Sequence, residues 1–146
     1  MKKKILCFSA ALILCLQAVL TVAFASDRMT ERVSYEDGSY AIITTVAASL
    51  TRAGIADSKT YTYYNSSAER CFSYTLYATF TYDGRTSTAD TVAYDIGIYL
   101  RGWDNDSHSE WTSGSTAYGS AVFSGPNGES RPVSLSLTCD KNGNVR

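Results

Sequence analysis

Histidine occurs once in this chain of 146 residues, and that scarcity restricts its chemistry. Any Ser-His-Asp mechanism must run through His108, and zinc would need more nitrogen or sulfur ligands than His108 supplies. No Gly-x-Ser-x-Gly elbow is present. Past Lys2-Lys3-Lys4 the basic residues are scattered. Phosphate-backbone binding depends on clustered Lys and Arg, so nucleic acid is not an expected partner. After residue 25, Lys, Glu and Leu are sparse, which removes the residues that suit helices best. No repeat or linker divides the chain, and no second long apolar run follows the first.

That first run says where the rest works. Lys2, Lys3 and Lys4 precede an apolar stretch from Ile5 to Leu20, broken by Ser9 and Gln17, and Ala23-Phe24-Ala25 places small residues where a signal peptidase reads. The pattern is that of a secretory leader cut between Ala25 and Ser26. Ile5–Ala25 is close to the length of a membrane span, but the small-x-small ending and the polar Ser26-Asp27-Arg28 favour cleavage. Cys15 follows Ile13-Leu14 rather than a small residue, which argues against a lipoprotein. The expected location is extracellular, with the membrane met only through the leader.

Removal of residues 1–25 leaves 121 residues, enough for one domain. Ten basic and fourteen acidic residues remain, a net charge near −4. Cys7 and Cys15 leave with the leader; Cys71 and Cys139 stay. An even pair in an exported chain reads as one disulfide closing a long loop, worth roughly 4 kcal/mol in the chain-entropy model. Two free thiols or an intermolecular bridge are the alternatives.

What is abundant is Tyr, Thr, Ser, Val and Gly, which suits pleated strands and turns. From Phe72 the residues Phe72, Tyr74, Leu76, Ala78, Phe80 and Tyr82 alternate with Ser73, Thr75, Tyr77, Thr79 and Thr81. A period of two sets the first group against a core. Asp83-Gly84 predicts a two-residue type I′ hairpin, with a return strand placing Val92, Tyr94, Ile96, Ile98 and Leu100 on one face. Tyr40–Arg52 carries Tyr40, Ile42, Thr44, Val46, Ala48 and Leu50 on one side, and Lys59–Tyr64 is a short strand. Ala117, Gly119, Ala121 and Phe123 alternate before the turn signal Gly125-Pro126-Asn127-Gly128. Val133, Leu135, Leu137 and Cys139 alternate after it. About six strands predict an all-β fold, a single antiparallel sandwich or small barrel over residues 39–146. Residues 26–38 read as a loose N-terminal arm.

Candidate sites are few. Asp104, Asp106, His108 and Glu110 alternate between Trp103 and Trp111, as oxygen ligands do in some calcium loops. The glycine and late bidentate glutamate of an EF-hand are missing, however, and a solvated loop with Trp103 and Trp111 closing the core is the expectation. Asp90, Asp95 and Glu110 could converge as a carboxylate set for glycoside hydrolysis. No cofactor is expected, and the chain reads as a non-enzyme. All eleven tyrosines follow the leader. Tyr74 and Tyr82 read as core; Tyr77 faces away, and Tyr61, Tyr63, Tyr99 and Tyr118 read as similarly exposed. Trp103, Trp111, Tyr77 and Tyr99 form the candidate recognition surface for an extracellular protein or glycan. Asn65-Ser66-Ser67 matches a glycosylation sequon.

Three segments follow one another in order: Ala78–Gly84, then Trp111-Thr112-Ser113-Gly114-Ser115-Thr116-Ala117, then Ser136–Asn144 with its Cys139-Asp140-Lys141-Asn142-Gly143 run. In these the chain resembles small exported all-β proteins of gut-dwelling Gram-positive bacteria, a group with no assigned activity. The resemblance implies a secreted all-β domain and brings no catalytic residues. Its second cysteine tends to follow the hairpin, where this chain has Ala89 and Asp90. Surface recognition is the leading expectation, a bacteriocin-like antagonist the second and a small hydrolase the third. N-terminal sequencing of the exported protein is expected to begin at Ser26; a chain retaining residues 1–25 would refute the leader.

Overall fold

The structure is a computed structural model that describes residues 28–47, 50–51 and 54–146. The leader and its cleavage point, with Ala48 and Arg52 of the first expected strand, lie outside the described residues.

Among the described residues nine strands alternate with turns: β1 Arg28–Ser34, β2 Tyr40–Val46, β3 Leu50–Thr51, β4 Gly54–Tyr64, β5 Arg70–Tyr82, β6 Ser87–Ile98, β7 Asp104–Ser113, β8 Thr116–Ser124 and β9 Ser130–Thr138. Every pairing is antiparallel. The larger sheet runs β1-β2-β4-β5-β6, with two-residue β3 also on β4, and the smaller runs β7-β8-β9. No closed barrel forms. The chain leaves the first sheet after Ile98, turns through Gly102 at φ 94° and enters the second at Asp104.

The two inner faces meet as the alternation predicts. Phe72, Tyr74, Leu76, Ala78 and Phe80 are buried on β5, as are Ala117, Ala121 and Phe123 on β8 and Val133, Leu135 and Leu137 on β9. Phe72 and Phe123 stack across the interface, ring centroids 3.9 Å apart. Trp103 lies against Phe72 at 5.0 Å and Tyr63 at 5.3 Å. Truncating Phe72 to Ala should cost about 3–5 kcal/mol, since aromatic cavities in a two-layer core refill poorly. Two glycines permit the close approach. A Cβ at Gly119 would strike the Tyr74 phenol, and one at Gly125 would sit 2.7 Å from the Trp103 ring.

Several expectations are corrected. Residues 28–34 are not a loose arm but edge strand β1, paired along its whole length with β2; its polar sequence suits a solvated edge. Residues 104–110 are not a loop but most of β7, an edge strand of the smaller sheet that is exposed along most of its length, with Asn105 and Glu110 half-buried. With β3, these raise the strand count above six. The Asp83-Gly84 turn is a four-residue loop: the Asp83 N–H donates to Thr86 O, and Asp83 Oδ1 accepts from the N–H groups of Arg85 and Thr86 at 2.8 and 2.7 Å. Aspartate builds its own turn here, so the tight hairpin is unnecessary. On the return strand a bulge skips Asp90; Val92 and Ile96 are half-buried, while Tyr94 and Ile98 are exposed. Tyr61 and Tyr63 are buried and Tyr82 is exposed, the reverse of expectation, because Tyr61 and Tyr63 stand opposite Tyr74 and Phe72 on the core face whereas Tyr82 is the last residue of β5.

The disulfide is also overturned. Cys71 and Cys139 are both free thiols, buried. Cys71 lies at the start of β5. Cys139 O accepts from the Ser87 hydroxyl at 2.6 Å, and Ser87 pairs with Tyr82 at the far end of β5. At about 3.3 Å per residue the two thiols are on the order of 30 Å apart, against at most about 7 Å between Cα atoms for a bridge. Burial pushes both thiols above their ordinary pKa, which keeps them protonated and unreactive. The trimmed protein, once denatured, is expected to titrate two thiols, and reductant should leave its Tm unchanged; a titre of zero would restore the bridge.

Candidate functional site

The four aromatic candidates do not share a surface. Trp103 is core, only 6 % exposed. Trp111 is 46 % exposed, but it pairs with Tyr118 on the outer face of the smaller sheet and stacks on it at 5.3 Å. Tyr77, 44 % exposed, and Tyr99, 49 % exposed, belong to the opposite side of the molecule, the outer face of the larger sheet. There Tyr77 is opposite Ala93, and Tyr99 hydrogen-bonds Ser73.

The acidic alternation is divided by a second bulge. Asp106 is skipped between Asn105 and Ser107, which turns Asp104 and Asp106 away from the face that holds His108 and Glu110. Among the described residues no group of three His, Cys, Asp or Glu side chains is placed to hold a metal. Nor do the three carboxylates converge. Asp95 is opposite Thr75 on the outer face of the larger sheet, Asp90 accepts from the Thr81 hydroxyl, and Glu110 faces inward.

Glu110 instead closes the seam where β6 meets β7. The buried Tyr74 phenol donates to Glu110 Oε1 at 2.6 Å, and Glu110 Oε2 meets His108 Nδ1 at 3.2 Å. The His108 ring packs on Tyr94 at 4.0 Å. Burial, then the Glu110 carboxylate, pushes the Tyr74 phenol well above the ordinary tyrosine range. The four residues form a polar clasp that satisfies a buried phenol and a largely buried carboxylate together.

The outer face of the larger sheet carries a different pattern. Register places Ser34, Tyr40, Tyr64 and Arg70 in one row across β1, β2, β4 and β5. Tyr40 and Tyr64 stack at 4.8 Å with 7° between their planes. Arg32, one row inward, lies over Tyr40 at 3.8 Å. At the other end Arg70 lies over Tyr99 at 3.5 Å. The Tyr99 phenol lies against Gly97, where an added Cβ would strike it, and Ser73 Oγ meets its hydroxyl at 3.1 Å. The result is Arg32, Tyr40, Tyr64, Arg70 and Tyr99 in a line roughly 20 Å long, at about 4.8 Å per strand. Among the described residues neither arginine has an ion pair. Glu69, next to Arg70 in sequence, is held by Asn65 Nδ2 at 2.8 Å.

Beside this line the same face presents hydroxyls. Thr30, Thr44, Thr60 and Thr75 stand opposite one another on four strands, and Thr60 and Thr75 share a 3.0 Å hydrogen bond. Toward the far end a hollow of about 350 Å³ is bordered by Ala56, Ser58, Tyr77, Thr79, Thr91 and Ala93. Of the line, sequence reading found Tyr99 alone. The alternation of Tyr40 with Ile42 and Thr44 was a signal for a second surface, but it did not say that this row faces outward. Tyr64 and Arg70 come together only through the bulge that skips Cys71.

No protein-family model matches the chain, and neither the curated proteins nor the solved structures include a match to it.

Replacing Tyr74 by Phe should cost about 1.5–3 kcal/mol in urea unfolding, the range for hydrogen bonds to charged groups, with strong coupling to Glu110→Gln in a double-mutant cycle. Because the phenol pKa is raised on folding, its contribution is complete below the unfolded value near 10 and is lost as pH rises beyond it. Wild type should therefore lose more stability than Tyr74→Phe above pH 10; parallel curves would show the clasp is not formed.

Proposed function

We propose that this chain is an exported, non-enzymatic domain that recognises an extracellular protein or glycan through the outer face of its larger sheet. The observation that carries the reading is the line Arg32, Tyr40, Tyr64, Arg70 and Tyr99. Tyr and Arg are the residues most enriched among those that dominate binding energy. Here they are gathered on a solvent-facing sheet and held by one another. Export is supported by the Lys2–Lys4 head, the apolar run and the Ala23-Phe24-Ala25 ending.

A non-enzymatic role has its own support. Both Glu110 oxygens are engaged, by Tyr74 and by His108, so the carboxylate best placed for proton transfer is committed to holding the seam. The thiols are buried and protonated. A cleft of paired catalytic groups would contradict this pattern; a flat ordered face suits binding.

Arrays of glycans and of extracellular proteins, probed with the trimmed protein, test the reading. Binding is expected for wild type and for Trp111→Ala, and should fall at least tenfold in a folded Arg32→Ala/Arg70→Ala/Tyr99→Ala variant. Undiminished binding by the triple variant, or no binding by wild type, would overturn it.

A further inference from the structure

We infer that the line on the larger sheet binds an acidic polysaccharide whose charge is carried by carboxylates, a chain of uronic acid type lying across the strands. This rests on the recognition reading and names its ligand class. Register gives this face Arg28, Arg32 and Arg70, with Asp95 the acid in its central rows and Asp90 at the far end. The chain as a whole has net charge −1, so cationic groups are concentrated here against the overall balance. The line itself contains no carboxylate. Each guanidinium carbon lies over a tyrosine ring, at 3.8 Å for Arg32 on Tyr40 and 3.5 Å for Arg70 on Tyr99, and neither arginine has an ion pair among the described residues. A guanidinium held in this way can still donate a parallel pair of N–H groups to a carboxylate.

Hot spots for protein partners sit in well-packed pockets that exclude water, whereas this line is an open track. One row of hydroxyls, Thr30, Thr44, Thr60 and Thr75, runs alongside it and ends at Asp95. Thr60 and Thr75 share one hydrogen bond, and each hydroxyl keeps further capacity to donate or accept. Sugar hydroxyls need such partners; an apolar peptide anchor does not. Arg32 and Arg70 stand three strands apart, on the order of 15 Å, with no lysine cluster between them. A densely sulfated chain calls for crowded cations. A regular chain with one carboxylate per sugar fits separated ones.

The experiment is affinity electrophoresis of the trimmed protein in gels containing polygalacturonate, dextran, dextran sulfate or polyglutamate. Retardation by polygalacturonate at least tenfold stronger than by the other three is expected, weakening as salt rises. Arg32→Ala and Arg70→Ala should each weaken it about tenfold, and the matching Lys variants should recover only part of the loss. Gly97→Ala, which lifts the Tyr99 ring, should also weaken it while the melting temperature stays near wild type; Trp111→Ala should change nothing. Equal or stronger retardation by dextran sulfate overturns the carboxylate assignment, by polyglutamate the glycan, and by dextran the role of charge. No retardation by any polymer overturns the inference alone, because the arrays judge the recognition reading separately.

Discussion

The stack of Phe72 on Phe123 is the contact on which the rest of the molecule depends. Each sheet has one apolar face, and neither can be stable until that face is covered. The stack, with Tyr63 and Trp103 around it, joins β5, an inner strand of one sheet, to β8 at the centre of the other. Large rings on both sides demand small residues opposite them, which is why Gly119 lies under the Tyr74 phenol and Gly125 under Trp103. Because no other layer covers them among the described residues, both outer faces are left to solvent.

Unequal sheet widths set the second constraint. Three strands cannot cover five, and the structure closes the two uncovered seams with polar clasps rather than more apolar area. At one side Tyr74, Glu110, His108 and Tyr94 join β5 and β6 to β7. At the other, Arg131 of β9 pairs with Asp37 and lies 5.3 Å from the Tyr35 ring, and Tyr35 hydrogen-bonds Tyr61 at 2.8 Å. The Ser39 hydroxyl and N–H with Arg131 hold the Asp37 carboxyl down to about 2. That group favours the fold above pH 4 and ceases to as pH falls through its lowered value. Lys59 adds a third polar link, donating to Ser136 O at 3.2 Å. Such clasps tolerate the water that reaches a sheet edge, where a greasy side chain would gain little.

The parts legible in sequence were those where alternation and burial agree. From Phe72 to Phe80 on β5, from Ala117 to Phe123 on β8 and from Val133 to Leu137 on β9, every second residue is apolar or small, and each such row is core. Legibility failed where one sheet edge is wet on both sides. The β1 sequence Arg28–Ser34 and most of β7 have no apolar row to detect, so pairing partners rather than their own residues hold them as strands. It failed again at bulges. Skipping Asp90, Asp106 and Cys71 shifts register by one residue, and a one-residue shift exchanges faces. The supposed acidic loop lost its common face that way, while Arg70 gained the company of Tyr64. The disulfide failed because cysteine parity carries no distance: two thiols at opposite ends of one long strand look the same in sequence as two that touch.

The clasp and the arginine–tyrosine line both contain polar and aromatic side chains, yet they should be read differently. Within the clasp the Tyr74 hydroxyl, both Glu110 oxygens and His108 Nδ1 are directed at one another, so their energy is spent on the fold, and removing Glu110 leaves the buried phenol unsatisfied. In the line the contacts are of a kind worth only about 0.5–1 kcal/mol at exposed sites, too small to explain five such residues by stability. Their effect lies elsewhere. An arginine side chain carries about 2 kcal/mol of rotamer entropy, which a ligand would ordinarily have to overcome on binding. Resting Arg32 on Tyr40 and Arg70 on Tyr99 settles part of that ordering in advance, and the Tyr40–Tyr64 stack and the Ser73–Tyr99 hydrogen bond restrain the rings in turn. A surface partly arranged in advance suits the preorganised recognition proposed for this face.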